Sequence, residues 1–172
     1  MIRVSISISS VLAKTFEASI SSLFESYFRS EDNQFGFKKA TGCTDAIFCA
    51  NKLICSFTGA GDTAHIAALD ISKAFDKVNH YALFLKLMDR NIPQFLLDLL
   101  VNWLARATSC VKWHGAYSAP YSLRTGVRQD SVLAPALFAI YINDVARVCS
   151  HSSYGFAILY ADDILLLSRS RL

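Results

Sequence analysis

Asp162 and Asp163 stand side by side inside the run Phe156-Ala157-Ile158-Leu159-Tyr160-Ala161-Asp162-Asp163-Ile164-Leu165-Leu166-Leu167. Apolar residues rich in Ile and Leu flank both acids, a pattern that reads as two buried strands joined by a tight turn carrying the pair. Two unpaired negative charges between hydrophobic strands repel one another and are costly to desolvate, so their presence there suggests a cation that offsets both. Carboxylate oxygens suit Mg²⁺, which keeps several waters and commonly takes the rest of its shell from a substrate's phosphates. A bare Asp-Asp is more often a solvated turn; the apolar flanks are what favour the metal reading. A third carboxylate, Asp70, ends the short apolar run His65-Ile66-Ala67-Ala68-Leu69 and so belongs at a strand's C-terminal edge. If these strands are neighbours in one antiparallel sheet, the three acids converge. Three carboxylates holding two Mg²⁺ ions about 4 Å apart make a site for in-line attack at a phosphoryl group, the chemistry of nucleotidyl transfer. Spacing alone leaves that convergence open.

The elements that must position these acids follow from periodicity. Val11 to Phe28 carries apolar residues at helical spacing. Asp32 to Lys39 reads as a loop or short hairpin presenting Lys38 and Lys39, and Thr41 or Thr44 can cap a second helix running to about Ser56. Thr58-Gly59-Ala60-Gly61-Asp62 ends that helix, and the strand leading to Asp70 follows. Asp76 can cap the helix of Leu83, Phe84, Leu87 and Met88, while Pro93 opens another through Trp103. Thr108 to Trp113 and Ala119 to Leu123 suit a hairpin around Gly115, and Val132 to Val148 suits a helix with Pro135 in its first turn. The alternation Ile2 to Ile8 reads as an N-terminal strand. Helices before and between a few short strands argue an α+β fold, not a doubly wound sheet.

Composition bounds the rest. A chain of 172 residues with 53% hydrophobic and 18% charged residues holds one domain or slightly more, and no apolar run approaches the length of a membrane span. No membrane partner is therefore expected, while the odd cysteine count and the lack of a signal peptide point to an intracellular setting. A net charge of +3 permits a polyanionic partner without requiring one. The cysteines at 43, 49, 55, 110 and 149 form no C-x-x-C pair and no zinc-type grouping, so buried reduced thiols are expected. His65 and His80 read as packing or hydrogen-bonding residues, because phosphoryl transfer at metals does not require an imidazole.

Four stretches together resemble the reverse transcriptase domain of non-LTR (LINE-type) retrotransposons. They are Gln34-Phe35-Gly36-Phe37-Lys38-Lys39, the run from Leu69 to His80, Gly126-Val127-Arg128-Gln129 with Ser131-Val132-Leu133 and Pro135, and Tyr160-Ala161-Asp162-Asp163. Group II intron maturases can share the last tetrapeptide, but Ser72 to His80 looks more like the LINE type. The resemblance implies a right-hand polymerase: a fingers-like part over residues 1–62, and a palm-like part over 63–172 with a small antiparallel sheet packed on helices. The thumb is expected to lie outside the sequence. It assigns Asp70, Asp162 and Asp163 to catalysis and metal coordination. Phe75 matches an aromatic gate that would collide with a ribose 2′-hydroxyl, and Gln129 a residue lining the incoming nucleotide and template. Lys38, Lys39 and Lys73 become candidates for phosphate contacts. Core packing is the plain alternative for Phe75, and a solvated surface the plain alternative for each lysine. RNA template, DNA primer and deoxynucleoside triphosphates are the implied partners, with Mg²⁺ as cofactor.

The sequence also departs from that pattern. Asp130 follows Gln129 where the family nearly always has Gly, and Ala40 stands where it often has Gly. A carboxylate at 130 adds bulk and negative charge beside phosphates, so impaired catalysis is expected, although Asp is also a good N-cap for the next helix. A non-catalytic fragment that holds RNA or a protein partner is the competing expectation.

Overall fold

The computed structural model describes residues 8–150 and 155–171, so all but the last residue of the expected Ile2 to Ile8 strand lies outside the described residues. The chain divides into two compact units that are each discontinuous in sequence: the described part of Met1–Tyr27 with Phe75–Phe138, and Phe28–Ala74 with Ala139–Leu172.

The first unit holds α1 (Val11–Leu23), α3 (His80–Asp89) and α4 (Gln94–Ala105). Ser10 caps α1 by accepting the Ala13 N–H at 3.2 Å. The helix closes at Leu23, short of the expected Phe28, because the chain tightens into a 3₁₀ turn over Glu25–Phe28. On its inner face Phe16 meets the Trp103 ring at 4.9 Å, and Phe24 lies edge-on to Phe95 at 5.6 Å. α3 is capped by Asn79, whose side-chain oxygen accepts the Ala82 N–H at 3.1 Å. The expected cap, Asp76, lies too early and falls in a separate 3₁₀ turn, Phe75–Lys77. Leu83 and Leu87 of α3 and Leu96 and Leu100 of α4 have no solvent exposure. Each such side chain contributes about 1.5–3 kcal/mol by leaving water.

After α4 the chain forms a two-stranded ribbon. β2 (Thr108–Ser109) pairs with β5 (Tyr121–Ser122), and β3 (Lys112–Trp113) with β4 (Ala116–Tyr117). His114 and Gly115 both have positive φ, 46° and 83°, which is the type I′ geometry that suits the twist of a hairpin.

The second unit is an α+β layer. β1 (Thr63–Asp70), β6 (Gly155–Tyr160) and β7 (Asp163–Ser170) form an antiparallel sheet in the order β1-β7-β6. α2 (Cys43–Gly59) packs on it, with Ala46, Ala50 and Phe57 meeting Ile158 and Leu167. Neither Thr41 nor Thr44 caps α2. Gly42 occupies that position, its N–H donating to Asp45 at 2.8 Å, while the Thr41 hydroxyl donates to the Phe35 carbonyl at 2.9 Å. β1 is largely exposed. It runs along the sheet edge with Ile66 and Leu69 about half exposed (51% and 49%), because β7 takes the central place and alone has a strand on either side. α5 (Ala134–Ser150) begins in the first unit and has most of its length in the second. Among the described residues no helix is long and apolar enough to cross a membrane.

Candidate active site

The β6–β7 hairpin fixes two of the acids. Tyr160 pairs with Asp163, leaving Ala161 and Asp162 as a two-residue loop. Positive φ at Ala161 (57°) and not at Asp162 is the type II′ pattern, a position normally filled by glycine. Left-handed backbone costs an alanine about 1–2 kcal/mol. Only Asp162 therefore sits in the turn; Asp163 is already the first residue of β7.

Across the other side of β7, Asp70 is the direct register partner of Asp163. Opposed positions of this kind have Cβ atoms about 4.5–5.5 Å apart. Asp70, Asp163 and Tyr160 share one sheet face, the one on which α2 packs. Asp70 and Asp163 are exposed and Asp162 half-buried, so the buried environment expected from the flanking apolar runs is not what surrounds them. Ile158 and Leu159 of β6 and Ile164 and Leu167 of β7 are buried, whereas the acids lie at the sheet's end, where the pleat meets solvent.

Among the described residues none of the three carboxylates has an ion-pair partner, and no three Asp, Glu, His or Cys side chains converge closely enough to hold a metal by themselves. Neighbouring carboxylates without an intervening protein cation are a donor set that fits Mg²⁺. That ion characteristically takes one or two carboxylates and completes its shell with water and substrate phosphates, not with an all-protein cage.

Phe75 and the loop carrying Gln129 are brought together in the first unit. Gly126 donates its N–H to the Val78 carbonyl at 2.8 Å and Val127 to the Phe75 carbonyl at 2.8 Å. The His80 ring nitrogen Nε2 lies 2.7 Å from the Gly126 carbonyl, so His80 is the hydrogen-bonding residue the sequence suggested. The half-buried Phe75 ring stacks on Phe138 with centroids 4.9 Å apart and 25° between planes, and Gln129 is exposed three residues beyond Gly126.

The lysines separate. Lys38 donates to the Glu31 carbonyl of its own loop, and burial pushes its ammonium below the usual lysine range against the opposing pull of Asp32 and Glu31. Lys39 and Lys73 are exposed, Lys73 with a φ of 55°. Among the described residues no ion pair links any of the three to the acids.

Asp130 does not cap α5. Its carboxylate accepts from the Ser9 N–H at 2.7 Å and the Ser9 hydroxyl at 2.8 Å, and pairs with Lys14 at 3.1 Å. Burial pushes this carboxyl up, but the Ser9 donors and the Lys14 charge outweigh it and hold it below the ordinary Asp value. The Ser131 hydroxyl accepts the Ala134 N–H at the start of α5 at 3.2 Å, and Ser131 is itself held by a distant acid. Glu17, only 1% exposed, accepts from the Ser131 hydroxyl and the Val132 N–H, both at 2.7 Å, and from the Trp103 ring N–H at 3.1 Å. Sequence reading missed Glu17; its one signal was that it is the single acid of an otherwise mostly uncharged helix, α1.

Comparison with known proteins supplies the family context. The profile of the family described as reverse transcriptase (RNA-dependent DNA polymerase) matches residues 1–172. A probable RNA-directed DNA polymerase from transposon X-element of Drosophila melanogaster is 30% identical over 96% of this chain and 18% of its own length. The Pol polyprotein of the type-2 retrotransposable element R2DM, from the same organism, is 26% identical over 97% of this chain and 16% of its own. The chain thus spans less than a fifth of the length of these relatives. Among solved structures, apo telomerase from Candida tropicalis superposes with a TM-score of 0.63 at 13% identity, covering 91% of this chain and 34% of that one. Telomerase from Candida albicans, in complex with a fragment of telomeric RNA, gives 0.60 at 14% identity over 91% and 29%. At those identities the likeness is one of fold.

Proposed function

The chain belongs to the reverse transcriptase (RNA-dependent DNA polymerase) family, and from that premise we propose that it forms the fingers-like (1–62) and palm-like (63–172) parts of an RNA-directed DNA polymerase. Its substrates are an RNA template, a DNA primer and deoxynucleoside triphosphates. The observation that carries this reading is the register of Asp70 against Asp163, with Asp162 beside it in the turn.

Asp70 and Asp162 hold divalent metal, Mg²⁺, and Asp163 completes the acidic set. When bound, the ions supply activation of the primer hydroxyl and neutralisation of the leaving oxygen. Phe75, stiffened by its stack on Phe138, excludes a ribose 2′-hydroxyl by bulk. Gln129 offers both a donor and an acceptor to the nucleotide. Lys39 and Lys73, both exposed, contact phosphates; Lys38 reaches them only by giving up its bond to Glu31.

The reading as a non-catalytic holding fragment draws in part on a carboxylate at 130 facing phosphates. The Ser9 and Lys14 contacts engage that carboxylate and weaken this part of the alternative. Primer extension on an RNA template tests the proposal. Mg²⁺-dependent synthesis is expected, abolished by Asp162→Ala, with Phe75→Val admitting ribonucleotides; synthesis indifferent to Asp162→Ala would overturn it.

A further inference from the structure

Gln34 is 1% exposed and lies where residues 33–35 run beside β6. The Phe35 N–H donates to the Leu159 carbonyl at 2.8 Å, and the Leu159 N–H to the Asn33 carbonyl at 2.9 Å. These bonds bring the Gln34 side chain under the Ala161-Asp162 turn. Its Oε1 accepts from the Gly36 N–H at 2.8 Å and from the Ala161 N–H at 3.2 Å, and its Nε2 lies 3.3 Å from the Ala161 carbonyl. Two backbone donors meeting on one atom fix the amide's orientation, since only the oxygen can accept both. Both ends of the Ala161 residue are thus tied to one buried side chain. Gly36 completes the cradle: a Cβ there would stand 2.3 Å from the Ala161 nitrogen and 2.9 Å from its Cα.

We propose that Gln34 is a positioning residue of the active site, its buried amide holding Ala161 in the left-handed conformation that sets where Asp162 stands, with Gly36 leaving the room for it. The idea rests on the reading of Asp162 as a metal-binding carboxylate. A left-handed alanine persists only where its surroundings over-determine it, and here the surroundings are one side chain and one missing side chain. Substrate and metal need not touch Gln34; it acts through the backbone of the turn.

The test uses the 172-residue chain and two readouts, amide hydrogen exchange and binding of Mn²⁺ alone. Gln34→Met removes the hydrogen bonds at similar volume. The expected result is exchange at the Ala161 amide at least about tenfold faster, with the β6–β7 ladder amides unchanged, and Mn²⁺ affinity about tenfold weaker. Gly36→Ala, which displaces the turn while keeping Gln34, should give the same local signature and decides the matter if Gln34→Met does not fold. Unchanged Ala161 exchange in both variants, or acceleration spread evenly along β6 and β7, would overturn the proposal. Asp162→Asn separates the two levels. If it leaves Mn²⁺ affinity unaltered, the metal-binding reading fails, and the exchange pattern still decides whether Gln34 holds the turn.

Discussion

Asp70, the last residue of β1, is the cross-strand partner of Asp163, the first residue of β7. Like charges directly opposed in a sheet are destabilising, and neither carboxylate has a protein cation beside it among the described residues. Asp163→Asn should therefore raise the stability of the metal-free chain by about 0.5 kcal/mol, the modest figure reflecting solvent screening of exposed charges. Mg²⁺ should stabilise the parent chain and close that gap, since a ligand that binds only the folded state adds to its stability. Urea midpoints in EDTA and in Mg²⁺ measure both. A variant less stable than the parent in EDTA would mean the carboxylates do not repel.

Glu17 joins α1 to the segment leading into α5 through charge-assisted bonds to Ser131 and Val132. Removing it leaves the Val132 N–H and the Trp103 ring N–H facing a cavity without an acceptor. Glu17→Ala is expected to cost about 2–4 kcal/mol of folding stability. Glu17→Gln, which keeps an acceptor but loses the favourable charge at a helix N-terminus, should cost about 1 kcal/mol. Denaturant midpoints for the two variants would show the order; equal and negligible losses would contradict it.

Asp130 supplies a pH-dependent part of stability. Its folded-state value is held below the ordinary one by Ser9 and Lys14. A depressed carboxyl stabilises fully above the unfolded value, near 3.9, and the contribution fades as pH falls through the folded value. Asp130→Asn should flatten the stability profile below about pH 4 and leave its shape at neutral pH unchanged. Restoring Gly at 130 should not accelerate synthesis, because the carboxylate is already engaged by Lys14. An increase in extension rate in Asp130→Gly would restore the original charge argument against this residue.

The sequence was most informative where periodicity is strong and local. Helices α2, α4 and α5 and the β6–β7 hairpin lie within a few residues of where apolar spacing put them. The strand ending at Asp70 was legible too, and its pairing with the hairpin was the condition on which convergence of the acids depended. Burial was not legible. An apolar run such as His65 to Leu69 looks the same at a sheet edge as in its centre, because exposure depends on which strand takes the middle place. Caps were misassigned for a related reason. Asn79, Gly42 and Ser131 stand at the starts of α3, α2 and α5 where Asp76, Thr41 or Thr44, and Asp130 were favoured, and the acid that holds Ser131 lies more than a hundred positions away. Residue preferences locate a cap among neighbours but carry no information about distant partners.

Gly126 separates two costs that are usually confounded. Its φ is 84°, and a Cβ would lie 2.8 Å from the Asp76 carbonyl oxygen and 2.9 Å from both the Asp76 Cα and the Phe75 oxygen. Gly115 has nearly the same φ, 83°, with nothing within 4 Å of the added atom. Gly115→Ala should therefore cost only the left-handed backbone penalty, about 1–2 kcal/mol. Gly126→Ala adds the overpacking cost of backbone atoms that cannot give way, for a total of about 3–4 kcal/mol. The excess should also appear in function. Displacing Gly126 moves the Val127 bond to the Phe75 carbonyl and with it the Gln129 loop, so KM for deoxynucleotides should rise in Gly126→Ala and stay level in Gly115→Ala. Equal losses of stability in the two variants would mean that the segment from Phe75 to Val78 yields to the new methyl group, and that its bonds to Gly126 and Val127 do not fix the loop.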